Sequence, residues 1–211
     1  MPLSFRPAAL ALTLLAASPA AAQITGSPSY QFLQAVRDDK PDEVEKILAK
    51  PGSRIIDTQD PTTGESALHI VVKNDDDRAL RYLRYLLARQ ADPNLKDRNG
   101  DTPLLVAVNH GYTDLVDVLV KESGSTGGAK VNVNVAGDGG QTPLIKAVLL
   151  HNEDMVRTLL DAGADPDRRD YALGKSARTY AEQDTRHPGL AKLFAALPKK
   201  PQRGVSGPTL R

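Results

Sequence analysis

Cysteine and tryptophan are both missing from this chain of 211 residues, and aromatic residues make up only 4% of it. Without cysteine there is no disulfide, no thiolate zinc site, no cysteine nucleophile and no lipidated N-terminal cysteine. With so few aromatics, the apolar surface comes mostly from Ala, Leu and Val, which suits small helices packed closely. A charge excess is missing too: the formal net charge is +1. That gives no reason to expect nucleic acid or an anionic membrane as a partner. Catalytic signatures are equally scarce. No nucleophile elbow of the form G-x-S-x-G occurs. The Gly-rich stretch "GSTGGAK" (124–130) fails the phosphate-loop pattern, because Ala129 precedes Lys130 and Val131 follows it.

The first 22 residues differ from the rest. They carry one cation, Arg6, an apolar stretch from Ala8 to Ala17, and small residues ending in Ala20-Ala21-Ala22. That is the layout of a secretory signal peptide, with cleavage expected between Ala22 and Gln23. The apolar stretch is about half of the roughly 20 residues that a bilayer span needs, which weakens the alternative of a retained anchor. Cleavage removes Arg6 and takes the net charge from +1 to 0. The sequence thus predicts a periplasmic protein with a short N-terminal arm over 23–29 and no membrane insertion after cleavage.

What the chain does have is one phrase written repeatedly. "NGDTPLLVAVNHG" (99–111) returns as "GGQTPLIKAVLLHN" (139–152). The anchor G-x-[ST]-[PA] occurs at Gly64, Gly100, Gly140 and Gly174, in steps of 36, 40 and 34 residues. Repetition at such intervals points to stacked structural units. In each anchor, Gly permits a tight turn, Thr or Ser is a good helix N-cap, and Pro suits the first helical position. Short apolar helices are predicted over 104–108 and 144–148. Second helices follow over 112–121 and 153–162. Each carries one apolar stripe, such as Leu115, Val116, Leu119 and Val120, or Met155, Val156, Leu159 and Leu160. Tyr82, Leu83, Leu86 and Leu87 repeat that stripe one unit earlier. Gly111 and Gly163 sit where C-caps are wanted, and "ADPN" (91–94) and "ADPD" (164–167) lead into the next turns.

This pattern resembles the ankyrin repeat, whose period is about 33 residues. The resemblance covers 30–197 and implies an all-α solenoid of stacked helix-turn-helix units joined by hairpin-like turns. Five units are expected: an N-terminal cap (30–59), three full units (60–96, 97–136, 137–169) and a degenerate C-terminal cap (170–197). In that last unit Arg178 stands where the pattern wants Leu. Unit two has extra residues around "NDDDRA". Unit three carries "SGSTG" (123–127), expected to form a longer finger beside the turn between units three and four. Residues 198–211, polar and basic, read as a disordered tail.

Four histidines remain to be assigned. His69 occupies the family's "TPLH" position, which implies a structural role in the turn. His110 and His151 read as one repeat apart, in the same row of inter-helix turns as Asp75, Asp76 and Asp77. Helix packing distances of about 10 Å argue against shared metal coordination along that row, so a solvated rim is the expected reading. His187 carries no signal in the sequence. Ser66 and Ser176 fall at N-cap positions, which commits their hydroxyls to the backbone. No catalytic residues, metal or cofactor are expected.

A solenoid builds its core by stacking and leaves an extended concave surface free. The resemblance implies that turn tips and exposed inner-helix positions on that surface bind other proteins. By position these are Thr62, Thr63, Glu65, Lys73 and Asn74 in unit two, and Arg98, Asn99, Asp101, Asn109 and His110 in unit three. Unit four contributes Asp138, Gln141, Leu149 and Leu150, and the last unit Tyr171 and Lys175. Leu149 and Leu150 are apolar where the pattern is polar, so they and Tyr171 are candidate anchors. The expectation is a non-enzymatic, monomeric module whose partner is another protein. It would scaffold or protect an exported protein, or else inhibit a toxic periplasmic enzyme. A second alternative is an envelope metal protein using the His110/His151 row.

Overall fold

Each repeat after the first begins with a turn that only certain residues can make. Gly64, Gly100, Gly140 and Gly174 all adopt a left-handed backbone, with φ between +62° and +80°, a region that costs an L-residue about 1–2 kcal/mol. Thr102, Thr142 and Ser176 then cap the helix that follows, accepting from the backbone amides of Leu105, Ile145 and Thr179 at 3.2–3.3 Å. Pro103 and Pro143 open their helices.

The computed structural model describes residues 26–49, 55–74 and 78–198. The expected signal peptide, Asp75–Asp77 and all but Pro198 of the expected tail lie outside them. The described residues form ten α-helices in five pairs: α1 (Pro28–Arg37) and α2 (Pro41–Leu48), α3 (Ala67–Asn74) and α4 (Ala79–Ala88), α5 (Pro103–His110) and α6 (Thr113–Glu122), α7 (Pro143–Leu149) and α8 (Glu153–Asp161), α9 (Ala177–Gln183) and α10 (Pro188–Ala195). The first helix of each pair packs on its counterpart in the next, from α1 through α3, α5 and α7 to α9. The second helices form another row, α4, α6, α8 and α10, in which the last contact is the smallest. This is an all-α solenoid, with isolated β-bridges at Gln59–Ser66 and Arg169–Ser176. No helix among the described residues is long and apolar enough to cross a membrane.

The inner helices are buried almost all round, as Leu104, Leu105, Ala107 and Val108 show in α5 and Leu144, Ile145, Ala147 and Val148 in α7. The outer helices bury one stripe, Leu115, Val116 and Leu119 in α6 and Met155, Val156 and Leu159 in α8. Both faces are thus needed to close one continuous core. Behind the helices, polar side chains join consecutive units. Asp57 accepts from the amide of Asp92 at 2.8 Å. The Asn94 side chain accepts from Asn132 and donates to the Lys130 carbonyl. That of Asn134 accepts from Asp165 and donates to the Gly163 carbonyl.

Residues 123–127 do not project beside the unit-four turn. The loop turns back onto the end of α4. Thr126 donates its hydroxyl to the Leu87 carbonyl, and Gln90 donates to the Thr126 carbonyl at 3.1 Å. Ser123 Oγ accepts from the Val131 amide, which closes the loop and buries Val131 and Val133.

Candidate protein-binding surface

In units two, three and five the turn tip is organised by an aspartate at its base, and Gly137 takes that place in unit four. Asp97 accepts from the amides of Asn99 and Asp101 at 2.9 and 3.0 Å. Asp60 accepts from the amides of Thr62 and Thr63; its bonds from Thr62, above all, hold its carboxyl far below the usual range despite partial burial. Asp170 accepts from the amide of Leu173 and the hydroxyl of Tyr180. Burial would raise its pKa, but these hydrogen bonds outweigh it and the carboxyl titrates low. Its presence, after burial itself, pushes the Tyr180 phenol up to about 12.

His69 ties one unit to the next. Its Nδ1 accepts from the amide of Ser66 at 3.2 Å and faces the Ser66 hydroxyl at 2.8 Å. Its Nε2 donates to the Asp101 carbonyl at 3.0 Å. Burial holds its pKa below 6.5, against the pull of the Asp101 carbonyl and the nearby carboxylates. The Ser66 hydroxyl therefore serves the imidazole and not the helix backbone. This Ser–His pair is buried on both sides and offers no approach to a substrate.

The structure places all the sequence-derived candidates on the surface, with Glu65, Asp101, Gln141 and Lys175 half-buried. In units two and three several of them, and the side chains beside them, are already engaged within the protein. Lys73 pairs with Glu65, Arg37 reaches Asp60 at 2.5 Å, and the Arg98 guanidinium donates to the Pro61 carbonyl. Asn109 and His110 end α5, where His110 Nδ1 donates to the Val106 carbonyl at 2.9 Å and the ring stacks on Tyr112.

The second half is different. Leu149 and Leu150 are 42% and 46% exposed at the end of α7, at the positions that carry Lys73–Asn74 and Asn109–His110 in the preceding units. The loop over 123–127, folded against unit two, leaves them open. Tyr171 is 80% exposed and Leu173 65%, both on the last turn tip. Tyr171 is held there: its amide donates to the Gly139 carbonyl at 2.8 Å, and its ring lies so close to Gly140 that a Cβ on that glycine would fall 2.7 Å from it. Leu173 was missed in the sequence, although "DYALGK" (170–175) shows an apolar residue just before the anchor glycine.

His110 and His151 do not form a row. His110 ends α5 and is followed by left-handed Gly111 (φ +77°), whereas α7 ends at Leu149 and His151 itself takes the left-handed position (φ +56°). His110 thus corresponds to Leu150 and His151 to Gly111. His151 instead meets Asp184 and His187 of the last unit, two residues that the sequence reading left without a role.

Stacked helix pairs with ordered turn tips define a repeat solenoid with an extended groove. Residues 83–170 match a family model of three ankyrin repeats and residues 63–98 the single ankyrin repeat. The chain belongs to the ankyrin-repeat family. It is 30% identical over 127 residues to ANK repeat-containing protein nipk-1 of Caenorhabditis elegans, covering 54% of this chain and 19% of that one. It is 32% identical over 145 residues to neurogenic locus notch homolog protein 1 of Homo sapiens, with coverage of 68% and 5%. To alpha-latrocrustotoxin-Lt1a of Latrodectus tredecimguttatus it is 31% identical over 150 residues, with coverage of 70% and 10%. The chain spans less than a fifth of the length of these relatives. Ankyrin repeats generally mediate protein–protein binding and are typically non-enzymatic.

Proposed function

We propose that this chain is a non-enzymatic module that holds another exported protein against the second half of its groove. The observation that carries this reading is the exposed pair Leu149–Leu150, apolar where the neighbouring units present polar pairs. Tyr171 and Leu173 add apolar surface at the turn edge. Apolar anchors on a rigid scaffold lose little side-chain freedom on binding, which favours affinity. The export reading rests on residues 1–22 alone; the mature chain would begin at Gln23. A scaffold or protector of an exported partner accounts for these features, and an inhibitor of a periplasmic enzyme would use the same surface.

The test is capture from a periplasmic extract, with the partner identified by mass spectrometry and compared between the native chain and Leu149→Asp. The variant is expected to keep its melting temperature and to lose most of the captured partner. A large fall in stability would show that Leu149 belongs to the core. Equal capture by both chains would remove the groove from the argument. N-terminal sequencing of the protein recovered from the periplasm checks the leader.

A further inference from the structure

At the joint between units four and five, three side chains converge. His151 Nε2 and His187 Nδ1 each lie 2.8 Å from the same oxygen, Asp184 Oδ2. The ligand atoms are all within 4.8 Å of one another, and the two imidazoles stack with centroids 3.9 Å apart. They come from three places in the chain. His151 follows the cap of α7, Asp184 is the C-cap of α9, and His187 is the N-cap of α10. The expected spacing between repeats is bridged because left-handed His151 and the turn over 184–187 both aim at one point.

We propose that His151, Asp184 and His187 form a binding site for a divalent transition metal of the zinc class, clamping the last unit to unit four. Two imidazole nitrogens and one carboxylate oxygen are a donor set for zinc and its neighbours, whereas calcium and magnesium take oxygen ligands. A tetrahedral ion with bonds of about 2.0 Å needs ligand atoms about 3.3 Å apart. The two N–O separations open by about 0.5 Å to admit it, and the nitrogens sit within the reach already noted. Each imidazole presents a lone pair once its proton moves to the other ring nitrogen. An open cleft walled by Leu149, Tyr180, Gln183 and Arg186 adjoins the cluster, leaving the remaining coordination positions to water. Arg186 stands 4.0 Å from the other Asp184 oxygen and is almost wholly exposed, so it can swing clear. The ion would brace the end of the outer row, where α10 meets α8 over the smallest contact.

The site is independent of any partner, and so is its test. Tag-free, chelator-stripped protein is titrated with Zn2+ by calorimetry, and its thermal melt is followed with Zn2+, Ca2+ or Mg2+. The expected result is one equivalent of Zn2+ bound and a higher melting temperature with zinc alone. His151→Gly restores the residue that unit three carries and removes the left-handed cost. It should melt no lower than the native chain without metal, yet lose zinc affinity by more than the roughly 10- to 100-fold that outer-shell changes cost. His187→Gln is the second variant, read the same way, and His110→Ala should bind as the native chain does. No stoichiometric zinc uptake by the native chain would overturn the proposal. So would native-like uptake by both His151→Gly and His187→Gln.

Discussion

Arg178 and Asp167 are joined by two hydrogen bonds, from Nε to Oδ1 at 2.7 Å and from a terminal guanidinium nitrogen to Oδ2 at 3.3 Å. The guanidinium is buried, 4% of the residue being exposed, and also donates to the carbonyls of Phe194, Leu197 and Pro198. The residue that looks degenerate beside Leu68, Leu104 and Leu144 therefore closes the last turn of α10.

Arg178→Ala should destabilise the fold toward the lower end of roughly 3–5 kcal/mol, because Asp167 keeps some water when its partner is gone. Arg178→Leu, which restores the repeat pattern, should not recover the loss, since the helix-end carbonyls stay unpaired. Urea unfolding measures the magnitude. Hydrogen exchange should show α10 opening before the central units.

His69 makes stability depend on pH. Its folded pKa lies below 6.5 because it is buried, so the unfolded chain takes up the proton first. Stability should be full above about pH 6.5 and fall as pH drops through and below it, by up to about 1.4 kcal/mol per unit. The low-titrating carboxylates Asp60, Asp117 and Asp170 act in a separate window, below their ordinary value of 3.8. Melts at pH 7.5, 6.5 and 5.5 check this. His69→Gln should be less stable at pH 7.5 and should lose part of the slope.

Gly140 and Gly100 share a left-handed backbone but differ in their neighbours. A Cβ at Gly100 meets nothing within 4 Å, whereas one at Gly140 strikes the Tyr171 ring. Gly100→Ala should therefore cost only the backbone term, about 1–2 kcal/mol, and Gly140→Ala should cost more. In a Tyr171→Ala background the excess should vanish. Chemical denaturation of the four variants gives this cycle.

The turns and helix starts could be read from the chain because Gly, Thr and Pro each state a local backbone requirement. Helices α5 and α7 begin at their prolines, and the outer stripes are buried as the periodicity indicates, Leu160 only partly. The histidine cluster could not be read that way. His110 and His151 look equivalent by eye, but one lies on the last helical residue and the other one step beyond the equivalent place. Asp184 and His187 lie where the repeat pattern has faded, so no register connects them to His151. Arg178 had the same difficulty, for its carbonyl acceptors lie 16 to 20 residues further on. Ser66 was misassigned because its imidazole partner competes with the helix amide for the same hydroxyl.

The asparagine and aspartate bonds behind the helices run one after another, Asp57 to Asp92, Asn94 to Asn132 and Asn134 to Asp165. Under tension applied at its two ends, such a chain loads these rungs in series. They would give way singly, like the teeth of a zip, and the molecule would lengthen in steps of one layer while the layers still stacked kept their grip.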